Sequence, residues 1–186
     1  MLTMPGLAMK LTKARIVMIP LFIFLFYVHP DVLGKWPALI VYALACITDY
    51  FDGYLARRNK ESSPLGAFLD PVADKLMVAA VLIVVLQSRP EWWLMICTLI
   101  VIGREIWISA LREWMAALNL RNIVAVSNIG KWKTTAQMFA LGFLIYQDDF
   151  LGFPIWQIGQ VLMLIAAVLT VLSMWKYTAA ALAYLK

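Results

Sequence analysis

The chain has 186 residues, of which 63% are hydrophobic, 13% aromatic and only 15% charged, and its formal net charge is +5. Soluble domains are roughly half apolar and one quarter charged, so this composition excludes a soluble or disordered chain and predicts an integral membrane protein of one domain, residues 1–186. The basic residues lie in short clusters between apolar stretches rather than on one basic surface, so no nucleic-acid partner is expected.

Six apolar stretches approach the length of about 17–25 residues that a helix needs to cross a bilayer. Polar or proline-containing segments separate them, and tryptophans cluster near their ends, as in an interfacial aromatic belt. We therefore predict an all-α polytopic membrane protein with six transmembrane helices, preceded by a short N-terminal interfacial segment, Met1–Lys10. The predicted spans are Leu11–Val28, Trp36–Ala56, Leu65–Gln87, Trp92–Ala116, Trp132–Tyr146 and Phe153–Tyr184.

The distribution of basic residues predicts which side of the membrane each loop occupies. Basic residues are concentrated before span one, between spans two and three, and between spans four and five. The only lysines and arginines of the opposite loops are Lys35 and Arg89, and one of these loops carries the acidic pair Asp148 and Asp149. Because cytoplasmic loops are enriched in lysine and arginine, both termini are expected in the cytoplasm.

Four aspartates stand near the loop between the second and third predicted spans. Asp49 and Asp52 are three residues apart and therefore share a helix face, and Asp70 and Asp74 are four apart on the next span. Both pairs lie within about two helical turns of that cytoplasmic loop. Four carboxylates can therefore converge between two neighbouring helices.

This group of carboxylates predicts a metal site. Each carboxylate at the centre of a span costs about 2.5–3.5 kcal/mol, and four that face each other also repel. Arg57 and Lys75 supply too little positive charge, whereas hard Mg²⁺ or Mn²⁺ prefers oxygen ligands. Two such ions about 3.5–4 Å apart would polarise a phosphoryl group. The small residues Gly53, Ala56 and Gly66 favour a ligand pocket beside them, with helix packing as the alternative.

The order and spacing of these residues resemble the signature of the CDP-alcohol phosphotransferases. The residues read Asp49-x-x-Asp52-Gly53-x-x-Ala56-Arg57, then eight residues, then Gly66-x-x-x-Asp70-x-x-x-Asp74. Eight fixed positions would match by chance with a probability on the order of 10⁻¹⁰ per start site. The predicted six-span topology also resembles this family over the whole chain.

The resemblance implies a role for each residue of the motif. It implies two Mg²⁺ or Mn²⁺ ions bound by Asp49, Asp52, Asp70 and Asp74, with Asp74 as the general base. It also implies contacts with the CDP group from Gly53, Ala56, Arg57 and Gly66. The implied reaction is attack of an alcohol on the phosphorus that carries the lipid, with release of CMP on the cytoplasmic side. The resemblance further implies a homodimer in the cytoplasmic (inner) membrane of a bacterium.

A second polar group favours a particular alcohol. Four cations lie in or beside the fourth and fifth predicted spans, namely Arg104, Arg112, Lys131 and Lys133. Near the metal site, they would suit an acceptor that carries its own phosphate. An arginine as deep within a span as Arg104 indicates a functional residue. The alternative is that these cations are topology signals and that Glu105 forms an ion pair with Arg112 within the helix. This alternative is strongest for Lys131. Residues 104–116 and 130–138 resemble family members that transfer from CDP-diacylglycerol to sn-glycerol 3-phosphate.

The N-terminal region departs from the pattern of those members. Where they commonly read Asn-Leu-Leu-Thr, residues 9–12 read Met-Lys-Leu-Thr. Thr12 and Arg15 are retained, and this segment is expected to close the nucleotide site.

Three alternative functions remain open. A family member that uses inositol phosphate or serine would share residues 49–74 and differ in the acceptor region. An intramembrane prenyltransferase also binds Mg²⁺ through aspartates but does not need the Asp-Gly-x-x-Ala-Arg order. A divalent-cation transporter would carry acidic groups through the full depth of the membrane, whereas here they collect toward one side.

Overall fold

A computed structural model of the chain describes residues 7–28, 34–59, 64–120 and 128–184. For residues 7–9, 52–59, 64, 67 and 128–132 it describes the backbone but not the side chain. Within these ranges the chain forms six α-helices and no β-strand, which confirms the all-α class. The helices are α1 Leu7–Val28, α2 Trp36–Asn59, α3 Pro64–Ser88, α4 Trp92–Ala117, α5 Asn128–Tyr146 and α6 Ile155–Ala183.

Each predicted span corresponds to one of these helices, and the largest differences are at two N-terminal ends. The helix α1 begins at Leu7 rather than Leu11, and α5 begins at Asn128 rather than Trp132. Hydropathy marks the stretch suited to lipid, whereas a helix continues through polar residues until its backbone ends it. The predicted interfacial segment therefore loses residues 7–10 to α1, and its first six residues lie outside the described part of the chain.

The described helices have the character of a membrane protein. Three contain stretches long and apolar enough to cross a bilayer, namely Lys10–Val28, Trp92–Ala117 and Ile155–Ala183, and a shorter apolar stretch covers Trp36–Phe51. Large apolar side chains that are more than half exposed include those of Val17, Ile83, Leu99, Phe139 and Val168. Soluble proteins rarely expose apolar surface on this scale. A lipid environment accounts for it, and the count of six spans stays a prediction.

The helices divide into two compact units, each of which is described by itself. The first comprises Met1–Val85 with Ile145–Gln147, and the second comprises Leu86–Leu144 with Asp148–Lys186. In the first unit α1 packs against α2, and in the second α4 packs against α6. The prediction of a single domain over the whole chain stays a prediction.

The core of the second unit explains how a charged residue comes to lie inside it. The buried residues of α4 follow helical spacing, among them Val101, Arg104, Ile108, Leu111 and Met115. Because Arg104 lies on that face, the packing that buries Ile108 and Leu111 also carries the guanidinium inward.

A glycine lets two helices of the second unit approach closely. A Cβ atom at the buried Gly159 of α6 would lie 3.1 Å from side-chain atoms of both Leu144 and Phe143 on α5. Small residues at such a crossing allow the backbones of membrane helices to come together. Gly159 is therefore a packing residue of α5 and α6.

Candidate active site

Three aspartates of the first unit converge on one arginine. Arg15 of α1 is 1% exposed, and its Nη1 lies 2.8 Å from Oδ1 of Asp49 on α2 and also contacts Oδ1 of Asp74 on α3. Its Nη2 is 3.9 Å from Oδ1 of Asp70. The hydroxyl of Thr12 donates a hydrogen bond of 2.6 Å to that same oxygen. We call Thr12, Arg15, Asp49, Asp70 and Asp74 the carboxylate cluster.

Helical spacing brings these side chains to the buried faces of their helices. On α1, Thr12 and Arg15 share a face with Phe22 and Phe26, and all four are at most 2% exposed. On α3, Asp70 and Asp74 continue toward the buried Met77 and Val81 at spacings of three and four residues. The apolar part of each face packs the helices, and the polar part of each face meets at the cluster.

The carboxylate cluster keeps a formal charge of −2, because three carboxylates surround one guanidinium. The side chains of Asp49, Asp70 and Asp74 are 39%, 37% and 46% exposed, whereas that of Arg15 is 2% exposed. Water therefore reaches the carboxylates while the guanidinium is enclosed. Arg15 reduces the repulsion among the three, and the remaining negative charge attracts cations.

Divalent cations fit the donor chemistry of this cluster, since carboxylate oxygens are the ligands that Mg²⁺ and Mn²⁺ prefer. Among the described side chains, however, no three acidic, histidine or cysteine residues form a group able to hold one metal ion. The described aspartate oxygens contact Arg15 instead. The side chain of Asp52 is outside the description, so the two-metal site of four aspartates stays a prediction.

The residues predicted to contact CDP are only partly described. Gly53, Ala56 and Arg57 lie in the last turns of α2, where the backbone is helical and nothing is described of the side chains. Gly66 lies in the first turn of α3 and is partly buried. Their assignment to the CDP group therefore stays a prediction.

In the second unit one glutamate holds two cations. Oε1 of Glu105 on α4 accepts hydrogen bonds from Nη1 of Arg104 and from Nζ of Lys133 on α5, both of 2.9 Å. Nη2 of Arg104 also donates to Oγ of Ser173 on α6 over 3.4 Å. We call Arg104, Glu105, Lys133 and Ser173 the Glu105 cluster.

The Glu105 cluster carries a formal charge of +1 and is largely enclosed. The side chains of Arg104 and Lys133 are 10% and 3% exposed, whereas that of Glu105 is 25% exposed. Within the part of the chain that the structure describes, the buried Nε of Arg104 has no hydrogen-bond partner. Two buried cations without an anion would be strongly destabilising, so Glu105 stabilises both.

The structure brings together two of the four cations predicted to bind the acceptor. Arg104 and Lys133 share one carboxylate oxygen. Arg112 is exposed on α4, about 10 Å along the helix from Glu105, and the side chain of Lys131 is not described. Glu105 pairs with Arg104 and Lys133, so the contacts do not support the alternative in which its partner is Arg112.

Comparison with known proteins places the chain in a family. Residues 6–172 match a family model described as CDP-alcohol phosphatidyltransferase. The chain belongs to the CDP-alcohol phosphatidyltransferase family. Two curated relatives come from Shigella flexneri serotype 5b (strain 8401) and Escherichia coli (strain K12), and each is named CDP-diacylglycerol–glycerol-3-phosphate 3-phosphatidyltransferase. Each is 47% identical over 173 residues, which covers 92% of this chain and 92% of the relative.

The match to the CDP-alcohol phosphatidyltransferases confirms the resemblance drawn from eight positions and extends it over most of the chain. Sequence reasoning nevertheless missed the counter-charge in the carboxylate cluster. It considered the charges of Arg57 and Lys75, found them too few and assigned the remaining compensation to divalent cations, whereas the structure places Arg15 among the aspartates. The available signal was the spacing of Thr12 and Arg15, which share one face of α1 with the apolar Phe22 and Phe26.

Sequence reasoning also missed Ser173 of this CDP-alcohol phosphatidyltransferase. Its hydroxyl accepts a hydrogen bond from Arg104 and donates one of 2.9 Å to the carbonyl oxygen of Thr170. A serine within an apolar span is also common as a helix-packing residue. The sequence therefore contained no signal that distinguishes these roles.

Proposed function

We propose that the chain is a CDP-diacylglycerol–glycerol-3-phosphate 3-phosphatidyltransferase. It transfers the phosphatidyl group of CDP-diacylglycerol to sn-glycerol 3-phosphate and releases phosphatidylglycerophosphate and CMP. The observation that carries this proposal is 47% identity, over 92% of both chains, to relatives that bear this name. Similarity on this scale includes the acceptor region and is not confined to the motif at residues 49–74.

The proposed chemistry is a displacement at phosphorus. A hydroxyl oxygen of the acceptor forms a bond to the phosphorus that carries diacylglycerol, the bond from that phosphorus to CMP breaks, and the hydroxyl proton passes to Asp74. The side chain of Asp74 is 46% exposed although it is paired with Arg15, so a hydroxyl can reach it. Arg15 contacts Asp49 as well, and it thereby orients both carboxylates.

Two divalent ions, Mg²⁺ or Mn²⁺, would be held by Asp49, Asp52, Asp70 and Asp74. When bound, these ions would supply positive charge to the phosphoryl oxygens and to the acceptor hydroxyl. The support for this part of the proposal is the oxygen donor set and the formal charge of −2 in the carboxylate cluster. An aspartate by itself is a weak base for an alcohol, so Asp74 needs such assistance.

We assign the two polar substrates to different groups of residues. The CDP group of the donor would lie against Gly53, Ala56, Arg57 and Gly66. The phosphate of the acceptor would be bound by basic residues, namely Arg104, Arg112, Lys131 and Lys133. The positive charge of the Glu105 cluster supports the second assignment, because enclosed cations bind phosphate more strongly than hydrated ones.

The proposed location is a bacterial cytoplasmic membrane, with both termini and the active site on the cytoplasmic side. The exposed apolar side chains support a membrane location, and the basic loops support this orientation. The relatives come from bacteria. The homodimer implied by the family resemblance stays a prediction, which chemical cross-linking in native membranes tests.

The proposed function is tested with purified protein in detergent, CDP-diacylglycerol and Mg²⁺ or Mn²⁺. Release of CMP is followed after addition of sn-glycerol 3-phosphate, inositol 1-phosphate or serine in separate reactions. We expect stimulation by glycerol 3-phosphate alone and complete loss with EDTA. Release driven by another alcohol would overturn the proposed acceptor. Divalent-cation flux without CMP release would favour the transporter instead.

A further inference from the structure

We infer that Glu105 occupies the acceptor-phosphate position in the substrate-free chain and that the incoming phosphate displaces its carboxylate. The inference rests on the proposed function, since it takes the displacing anion to be the phosphate of the acceptor. It assigns Glu105 a role that differs from that of a permanent ion-pair partner.

The contacts of Glu105 are those that a phosphate oxygen would make. A single atom, Oε1, accepts hydrogen bonds from a guanidinium and an ammonium group at 2.9 Å each. Phosphate oxygens take the same donors at the same distances. The carboxylate therefore occupies the point at which Arg104 and Lys133 bind an anionic oxygen.

Burial determines how an anion from solvent reaches these donors. Glu105 is the most exposed charged member of the cluster, at 25%, whereas the side chains of Arg104 and Lys133 are 10% and 3% exposed. An arriving phosphate therefore meets the carboxylate before the two cations. Contact with both cations requires that the phosphate replace Oε1.

The charges favour the replacement. With Glu105 in place the cluster has a formal charge of +1, whereas a phosphate dianion between Arg104 and Lys133 neutralises both cations. Arg104 has a second anchor that does not depend on Glu105, because its Nη2 donates to Ser173. Its buried Nε has no partner among the described residues and provides a further donor for the larger anion.

The exchange is tested by substituting Glu105→Gln, which removes the charge and keeps the shape of the side chain. The matched control is Glu113→Gln, since Glu113 is an exposed residue of the same helix outside the cluster. Binding is measured as the rise in Tm of the purified full chain, in detergent without CDP-diacylglycerol, on titration with inorganic phosphate or with glycerol 3-phosphate. The KM of each substrate is measured separately.

We expect Glu105→Gln to have a lower Tm than the wild type without phosphate, because two buried cations lack an anion. It should bind both anions roughly threefold more tightly or better, since no carboxylate competes. Its KM for glycerol 3-phosphate should fall while that for CDP-diacylglycerol stays the same, and Glu113→Gln should match the wild type. Weaker or unchanged anion binding in Glu105→Gln would overturn the exchange.

A second variant covers the case in which Glu105→Gln does not fold. Glu105→Asp keeps the charge and withdraws the carboxylate by one methylene group, so it should also bind phosphate more tightly than the wild type, and weaker binding would contradict the inference. Anion binding is read without turnover, which separates the two proposals. Tighter anion binding by the variant, together with no CMP release by the wild type, would retain the exchange of Glu105 for a phosphate group but refute the proposed function and with it the identity of the acceptor. Turnover by the wild type with unchanged anion binding by the variant would refute the exchange alone.

Discussion

Replacement of Arg15 by methionine is the sharpest test of how the carboxylate cluster is stabilised. The change leaves Asp49, Asp70 and Asp74 without the guanidinium that all three approach. Loss of one partner from a buried ion pair costs about 3–5 kcal/mol. The three carboxylates are 37–46% exposed, and their hydration reduces the expected loss to about 2–3 kcal/mol. For a chain of this length that corresponds to a fall in Tm of about 4–12 °C.

The assay is thermal unfolding of the purified protein in detergent, first with EDTA and then with Mg²⁺. We expect Arg15→Met to recover more of its Tm on addition of Mg²⁺ than the wild type gains, because the uncompensated carboxylates bind the cation more strongly. The control is Lys13→Met, which removes an exposed positive charge from the same helix. A Tm for Arg15→Met within about 1 °C of the wild type would refute the reasoning, as would an equal gain from Mg²⁺ in both proteins.

Three further predictions concern activity and packing. Asp70→Asn and Asp74→Asn should each abolish CMP release and leave the size-exclusion profile unchanged, and undiminished turnover in either would remove that residue from the proposed metal site. Lys133→Ala should raise the KM for glycerol 3-phosphate at least about tenfold and that for CDP-diacylglycerol much less, whereas equal effects would move Lys133 out of the acceptor site. Gly159→Leu should lower stability by about 1–3 kcal/mol through overpacking. Gly103→Leu should not, because among the described residues no atom beyond the neighbouring backbone of its own helix lies within 4 Å of an added Cβ. Equal Tm values for the two variants would contradict the close approach of α5 and α6.

The helices were predictable from the sequence because the membrane imposes a strong local signal. A span of apolar residues between polar segments is visible in hydropathy alone. Their ends were less predictable, as α5 shows by starting at Asn128. Polar residues can extend a helix beyond the bilayer, and the residue at which the helix begins or ends depends on contacts that hydropathy does not include.

The aspartates of the carboxylate cluster were predictable, whereas their partner was not. Helical spacing indicates that Asp70 and Asp74 share a face, and the structure brings both to the same arginine. Arg15 is 34 residues from Asp49 and 59 from Asp74 along the chain, and it stands where a topology signal is expected. Only the packing of α1 against α2 decides between these roles.

The partners of Glu105 show the same limit. The spacing along α4 allows an ion pair between Glu105 and Arg112, because residues seven apart lie near each other around a helix. The approach of α5 adds Lys133, an interaction between residues 28 positions apart. Glu105 pairs with Arg104 and Lys133 because an enclosed cation without an anion is strongly destabilising. Which cations are enclosed depends on how the helices pack, and the sequence alone does not give that packing.

The contacts of the Glu105 cluster also have a consequence for the order in which its charges are synthesised. Arg104 and Glu105 are neighbours on α4, so this helix carries a counter-charge for its own arginine, and pairing lowers the cost of an intramembrane charge. The helix α5 contains no acidic residue between Asn128 and Tyr146, and its Lys133 pairs with Glu105 of α4. That helix emerges from the ribosome earlier. The order of the two helices along the chain thus makes the acidic partner of Lys133 available before the lysine itself is synthesised.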